Sequence, residues 1–211
     1  MKQTPAKTTQ VRREKGNERR RLVLAATCEL LTEHSIETLT LAHIAEATAI
    51  PVSSLYHFYP KILNVYSDLM PVFSEELRSY LLENSDLGKL QGWQQLVDNG
   101  LEATAEFYRQ NPAYQQLILS GRAPAQLKSA DREGDTRLAQ TILEMAQAKF
   151  ELPKIPALKE IFFNAVEVGD LFLSLDLMRN EKITKAGVEE AKRACKSYLR
   201  SYLPEILYEK E

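Results

Sequence analysis

Pro51 and Pro60 leave room between them for one helix of two turns, VSSLYHFY. Proline suits the first position of a helix, where no amide donor is needed, and it disfavours helix at the residue before it. Pro51 therefore starts this helix and Pro60 stops it. Just upstream, Thr40 can cap LAHIAEATA by accepting a bond from an orphan amide, with Leu41, Ile44 and Ala45 facing inward. Ala49-Ile50 is left as the joint. Further back, RRRLVLAATCELLTEH places Leu22, Val23, Ala26, Leu30 and Leu31 on one helical face, with Ser35 as the stop. Residues 17–61 thus predict three helices with two tight joins, the last two at helix-turn-helix spacing.

The rest of the chain continues in the same style. Glycine is scarce, at 8 residues, and no strand-like alternation is sustained. The class is all-α. ILNVYSDLMPVFSEELRSYLLEN predicts a long helix that Pro71 kinks. Further helices are expected over about 91–109, from Asn111-Pro112 to 120, over 135–150, and over about 156–179 and 184–203. The stretch GRAPAQLKSADREGD reads as part loop and part helix start. Pro153 and Pro156 mark a break. The organisation expected is a disordered basic arm over 1–16, a three-helix unit over 17–61 and a helical domain over 62–211.

Charge is distributed unevenly. Residues 1–21 hold eight basic and two acidic residues, a surplus of six positive charges. The remainder holds 19 basic and 27 acidic residues, a surplus of eight negative charges. A basic arm on an acidic body suits a polyanionic partner, although a solvated tail would show the same composition. No apolar run reaches the roughly 20 residues that cross a bilayer, and the first residues lack a secretory apolar core. Cys28 and Cys195 sit far apart in apparent helices and read as buried thiols in a reducing cytoplasm.

Catalytic and metal-binding spacings are missing. There is no HExxH, CxxC, GxSxG or phosphate-binding glycine loop. His34, His43 and His57 form no ligand triad, and the His43–Glu46 pair is ordinary on a solvated helix. No enzyme activity, metal or cofactor is expected.

What VSSLYHFY offers instead is a readable surface. A helix entering the DNA major groove needs small residues at its start, with hydroxyl or apolar edges to meet bases and thymine methyls. Val52, Ser53 and Ser54 fit. Tyrosine hydroxyls, a histidine and Lys61 can meet phosphates, as can amides at helix starts. Leu30-Leu31, Thr40, Ile44-Ala45, Ile50 and Leu55-Tyr56-x-x-Tyr59 stand at fixed offsets within about 45 residues. On these residues the chain resembles the TetR (tetracycline-repressor-like) family of bacterial transcriptional regulators. It departs from the pattern at Ser35 and Ala49, where the family has glycine. After Pro60, either Lys61 or Ile62 takes the family's lysine position.

The resemblance implies a helix-turn-helix DNA-binding domain followed by a helical domain that binds an effector and dimerises. It implies DNA contacts at Thr40, Val52, Ser53, Ser54, Tyr56, His57 and Lys61, with arm contacts at Arg12, Arg13, Lys15, Arg19 and Arg20. Leu55 and Tyr59 are assigned to the core, and Phe58 could join them. The implied partners are a double-stranded operator, a second copy of the chain and a small-molecule effector of unknown identity. The implied role is a ligand-released repressor.

In the helical domain, IPALKEIFFNAVEVGDLFLSLDLM is apolar almost all round and predicts burial on more than one side. Ala165 and Gly169 permit close approach of another helix. Val188, Ala191, Cys195, Tyr198 and Tyr202 form a seam that fits either a two-fold interface or an intramolecular bundle. Asn164, Glu167, Asp170 and Ser174 make a polar stripe that could line a pocket, an interface or solvent. Trp93, Phe107, Tyr108, Tyr114 and Phe163 are candidate pocket walls beside Asn164, Glu167 and Asp170, or else ordinary core.

Overall fold

A computed structural model of the protein describes residues 5–121 and 124–210, with side-chain surroundings from Glu14 onward. Among the described residues it is helical without strands; one isolated antiparallel bridge joins Phe150 to Glu209. The helices are α1 (Pro5–Leu30), α2 (Leu41–Thr48), α3 (Val52–Phe58), α4 (Ile62–Glu83), α5 (Trp93–Gln110), α6 (Pro112–Tyr114), α7 (Lys128–Lys149), α8 (Leu158–Asn180) and α9 (Lys185–Leu199). A single π turn, Gln115–Leu119, extends α6.

The chain divides into two compact units, Met1–Leu69 and Met70–Glu211. This boundary lies inside α4 rather than after Lys61. The reason is that the first turns of α4 belong to the core of the first unit. Val65 is fully buried there, and the Tyr66 hydroxyl donates to the Ile36 carbonyl at 3.1 Å. Burial pushes the Tyr66 hydroxyl pKa up to about 12.

In the first unit, Val23 of α1, Leu41, Ile44 and Ala45 of α2, Leu55 of α3, and Tyr59 and Val65 share one apolar cluster. Helix α1 begins at Pro5, well before Asn17, so the arm expected to be disordered over 1–16 is helical from Pro5. Its sequence, AKTTQVRREKGNERRR, is rich in Lys, Arg, Glu and Gln, which are good helix formers. Residues 1–4 of that arm lie outside the described residues. The α1–α2 connection closes with Ser35 Oγ and Thr38 Oγ1 3.1 Å apart, and Ser35 does not take the left-handed conformation that would call for glycine. Ala49 does, at φ 53°. A Cβ at that φ costs about 1 kcal/mol, and the tight α2–α3 joint imposes it.

In the second unit α8 packs against both α7 and α9, and α9 also lies on α5. Leu143, Phe150, Ile161, Phe162 and Leu199 build the core. Helix α7 starts at Lys128, seven residues before the expected 135. Gly134, in the stretch expected to be part loop and part helix start, is inside the helix and lets α7 approach α4; an added Cβ would sit 3.0 Å from Ser74 Oγ. Lys196 and Lys192 of α9 pair with Asp98 and Glu102 of α5 at 2.5 and 2.7 Å.

The α8–α9 corner is built around the buried carboxylate of Asp176. It accepts bonds from Thr184 N at 2.6 Å and from Asn180 Nδ2 at 2.6 Å. Thr184 in turn caps α9 by accepting from Gly187 N at 3.0 Å. A Cβ on Gly187 would overlap the Asp176 carboxyl carbon. Gly187→Ala should therefore cost about 1–3 kcal/mol in urea unfolding of the full chain. An unchanged midpoint would show that the corner yields freely.

Candidate functional site

Helix α3 is too short to be stable by itself, and it is held by two anchors. Leu55 is 1 % exposed, and Tyr59, the residue that ends the helix, is 7 % exposed. The Tyr59 hydroxyl donates to Asp68 Oδ2 at 2.8 Å, and Arg20 Nε pairs with the same oxygen at 2.9 Å. Burial, then the Asp68 hydrogen bond, pushes the Tyr59 hydroxyl pKa above its ordinary value. One carboxylate thus ties α1, α3 and α4 together.

With Leu55 and Tyr59 turned inward, the rest of α3 faces out. Val52, Ser53, Tyr56 and His57 are exposed, and Ser54 is half-buried. Phe58, which might have packed inside, is 53 % exposed, with the His57 ring set edge-on at 5.7 Å. A large apolar ring on this face was missed from sequence, because Leu55 and Tyr59 already fill the two inward positions. Thr40 forms a capping box with His43. Thr40 Oγ1 accepts from His43 N at 3.4 Å, and Thr40 N donates to His43 Nδ1 at 3.3 Å. Its exposed hydroxyl proton can still be donated.

Lys61 is exposed at the start of α4, and its backbone amide donates to Asn64 Oδ1 at 3.1 Å; Ile62 is half-buried. Of the basic arm, Lys15 and Arg19 are exposed, and Arg20 is half-exposed while paired to Asp68. The side chains of Arg12 and Arg13 lie outside the described residues. The first unit therefore gathers Thr40, Val52, Ser53, Tyr56, His57 and Lys61 on its surface.

The second unit holds an apolar cavity of about 80 Å³. Its walls come from Leu81 of α4, Trp93 and Leu101 of α5, Ile142 of α7, Phe162 and Asp170 of α8, Cys195 of α9, and Leu203. The segment after α9 closes one side. Trp93 Nε1 donates to the Pro204 carbonyl at 2.9 Å, and Lys149 Nζ meets Glu209 Oε2 at 2.5 Å.

The candidate pocket residues separate. Trp93 and Asp170 line this cavity, whereas Phe107 and Tyr108 line a second one with Asp131 and Asp135. Glu167 and Ser174 line a third, polar one. Tyr114, Phe163 and Asn164 line none of the three. Tyr114 packs against Phe73 with the two rings tilted by 41° and donates its hydroxyl to Glu76. Phe163 packs on the core, and Asn164 Nδ2 donates to the Tyr198 hydroxyl at 3.1 Å.

The α9 seam is also spent inside the chain. Val188, Ala191 and Cys195 are buried, and Cys195 Sγ donates to the Ala165 carbonyl at 3.2 Å. Ala165 and Gly169 thus admit the chain's own α9. Burial, and secondarily Asp170, pushes the Cys195 thiol pKa up to about 12, so it is a closed core thiol.

Around Asp170 the structure gathers acids that sequence spacing left unremarked. Asp131 and Asp135, four apart on α7, meet Glu167 and Asp170 of α8. The signal was a same-face pair, hidden while α7 was expected to begin only at 135. Burial raises Asp131 from 3.8 to about 6, with Glu167 adding repulsion. Burial also holds Asp135 and Asp170 far above the carboxylate range, reinforced by their mutual repulsion and by Asp131 and Glu167. Glu167 Oε1 is buried without a hydrogen bond from any described amide, hydroxyl or basic group, and Asp135 stands within hydrogen-bonding reach of Glu167. A proton held on Asp135 can satisfy both.

These groups bind protons more tightly when folded than when unfolded. Their stabilisation is complete below about pH 4 and is lost as pH rises through the folded values. The exposed acids paired with Arg or Lys, such as Glu75 and Glu189, shift downward and contribute a constant amount above about pH 5. The melting temperature of the full chain should therefore fall between about pH 5 and pH 8, and Asp135→Asn should flatten that slope. A melting temperature that rises over this range would contradict the assignment.

Comparison with known proteins accords with this architecture. Residues 91–203 match the family model of the tetracyclin repressor-like C-terminal domain. No curated protein sequence matches the chain. Among solved structures, a TetR-family transcriptional regulator from Streptomyces coelicolor superposes with a TM-score of 0.68 at 20% identity, covering 88% of this chain and 99% of that one. A TetR transcriptional regulator from Rhodococcus sp. RHA1 gives 0.62 at 17% identity, covering 87% and 97%. A protein described as the flavonoid-responsive regulator FrrA gives 0.51 at 16% identity, covering 90% and 100%.

Proposed function

We propose that this chain, which belongs to the tetracyclin repressor-like (TetR) family of transcriptional regulators, binds a near-palindromic operator as a homodimer and leaves it when a small molecule enters the second unit. The observation that carries the reading is the outward face of α3. Leu55 and Tyr59 fix the helix from behind, while Val52, Ser53, Tyr56 and His57 stay free to meet DNA. Small residues at the start of the helix let its backbone approach base edges. Thr40, Tyr56, His57 and Lys61, with Lys15 and Arg19 on α1, supply phosphate contacts, to which Arg12, Arg13 and Arg20 are added, while Ser54 joins Val52 and Ser53 at the reading tip. Such work on DNA belongs in the cytoplasm.

The test is selection of binding sites from random DNA, followed by gel shifts. Ser53→Ala should weaken the selected site about 10- to 100-fold, the magnitude of one lost base contact. Lys15→Ala should weaken all sequences alike and reduce the salt dependence. Binding that is absent, or indifferent to salt, would refute the reading.

Dimerisation is supported by an apolar stripe left over on α8. Leu171 and Met178 are 54 % and 62 % exposed, and half-buried Val168 and Leu175 share their face at helical spacing. The inward half of the α9 seam cannot serve this purpose, since the chain buries it. Leu171→Glu should turn a dimer into a monomer in sedimentation equilibrium; a dimer that persists unchanged would place the interface elsewhere.

The effector acts by occupying the apolar cavity in the conformation that does not bind DNA, which shifts the population away from the operator. At about 80 Å³ the cavity is smaller than the cavities of about 300 Å³ that house drug-sized ligands, so filling it must displace a wall. Leu81 puts α4 in that wall, and α4 also carries Pro71, which offers no amide to the carbonyl of Ser67. Pro71 is the bending point in this reading. Pro71→Ala should blunt effector-induced release while operator binding without effector stays intact.

A further inference from the structure

We propose that the effector is an organic cation with an apolar body, its positive charge seated against Asp170. The inference rests on the reading above and names the chemistry of its ligand. The cavity is lined almost wholly by aliphatic and aromatic groups, and Asp170 is the one charged residue among its described walls. Trp93 and Phe162 contribute aromatic surface, which also attracts cations.

The surroundings of Asp170 are mainly acidic. Asp131 and Asp135 reach it from α7, and Glu167 lies one turn away on α8. Tyr108 of α5 is buried beside them, and the thiol of Cys195 on α9 is committed to the Ala165 carbonyl. Arg132 is the basic side chain of this group, 3.9 Å from Glu167 Oε1, and among the described residues no ion pair reaches Asp170. An anionic ligand would add to a crowding of acids that already makes Asp135 and Asp170 hold their protons. A neutral one would leave those protons in place. A cation supplies the missing countercharge inside a low-dielectric pocket, where it is worth most.

Proton accounting separates these cases. Burial and mutual repulsion keep the Asp170 carboxyl protonated near neutrality when the cavity is empty. A permanently charged ligand must displace that proton into solvent, leaving a carboxylate–cation pair. Its affinity therefore rises with pH until the carboxyl is already ionised, by up to about tenfold per unit. A neutral ligand carries no such dependence.

The experiment is isothermal titration calorimetry of the full-length protein with benzyltrimethylammonium and with benzyl alcohol, at about pH 6 and about pH 8. The expected result is a preference for the cation of about tenfold or more at the higher pH, with proton release seen as a heat that varies with buffer ionisation enthalpy. Asp170→Asn should abolish that preference and its pH dependence. Equal binding of the two probes, tighter binding of the alcohol, a pH-independent affinity or no binding of either overturns the proposal. So does an Asp170→Asn protein that behaves like the wild type. The comparison within the wild type decides the matter even if the variant does not fold. A gel shift on the same sample keeps the two readings apart. Operator binding without cation preference overturns the ligand class alone, and cation preference without operator binding overturns the regulator reading alone.

Discussion

The second unit depends on how closely α9 can lie on α8. Gly169 and Ala165 remove the side chains that would hold the two helices apart, and the Cys195 thiol fills the space and bonds to the Ala165 carbonyl. That approach fixes which faces of α8 are already used. One side is consumed by α9 and another by α7. What remains is Asp170 on a cavity wall and the outward stripe of Leu171 and Met178. A bulkier residue at Gly169 would press first on Leu101 of α5 and then on the Cys195 thiol, both of which line the cavity, so the chamber depends on that glycine.

The first unit was legible because its constraints are local. Prolines bound α3, Thr40 caps α2, and the alternation of inward Leu55 and Tyr59 with outward Val52, Ser53, Tyr56 and His57 follows from helical spacing alone. Ala49 stands where the family has glycine, and its backbone is left-handed. Ser35 also stands where the family has glycine, but its segment closes through side-chain contacts with Thr38 instead. Spacing shows that a helix must end; it does not show which of several endings the chain uses.

The helical unit was legible in its class and poorly legible in its site. The burial of α8 on several sides followed from its composition, yet the partner that Ala165 and Gly169 admit could not be told from sequence. A seam of small residues looks the same whether its mate is in the same chain or another. The aromatic candidates divide for a similar reason. Trp93 reaches a cavity while Tyr114 and Phe163 are ordinary packing, and only long-range contacts separate these fates. Asp131 and Asp135 escape notice when the helix is expected only from 135, whereas the missing side chain of Gly134 lets α7 lie against Ser74.

Trp93 is the chain's one tryptophan, and it stands in the cavity wall with its indole nitrogen anchored to Pro204. The protein therefore carries a single intrinsic fluorophore at the spot where a guest would arrive. Changes in polarity or quenching at that wall would appear in its emission without any label, against no background from other indoles. The same ring that closes the apolar chamber makes its occupancy visible to a spectrometer.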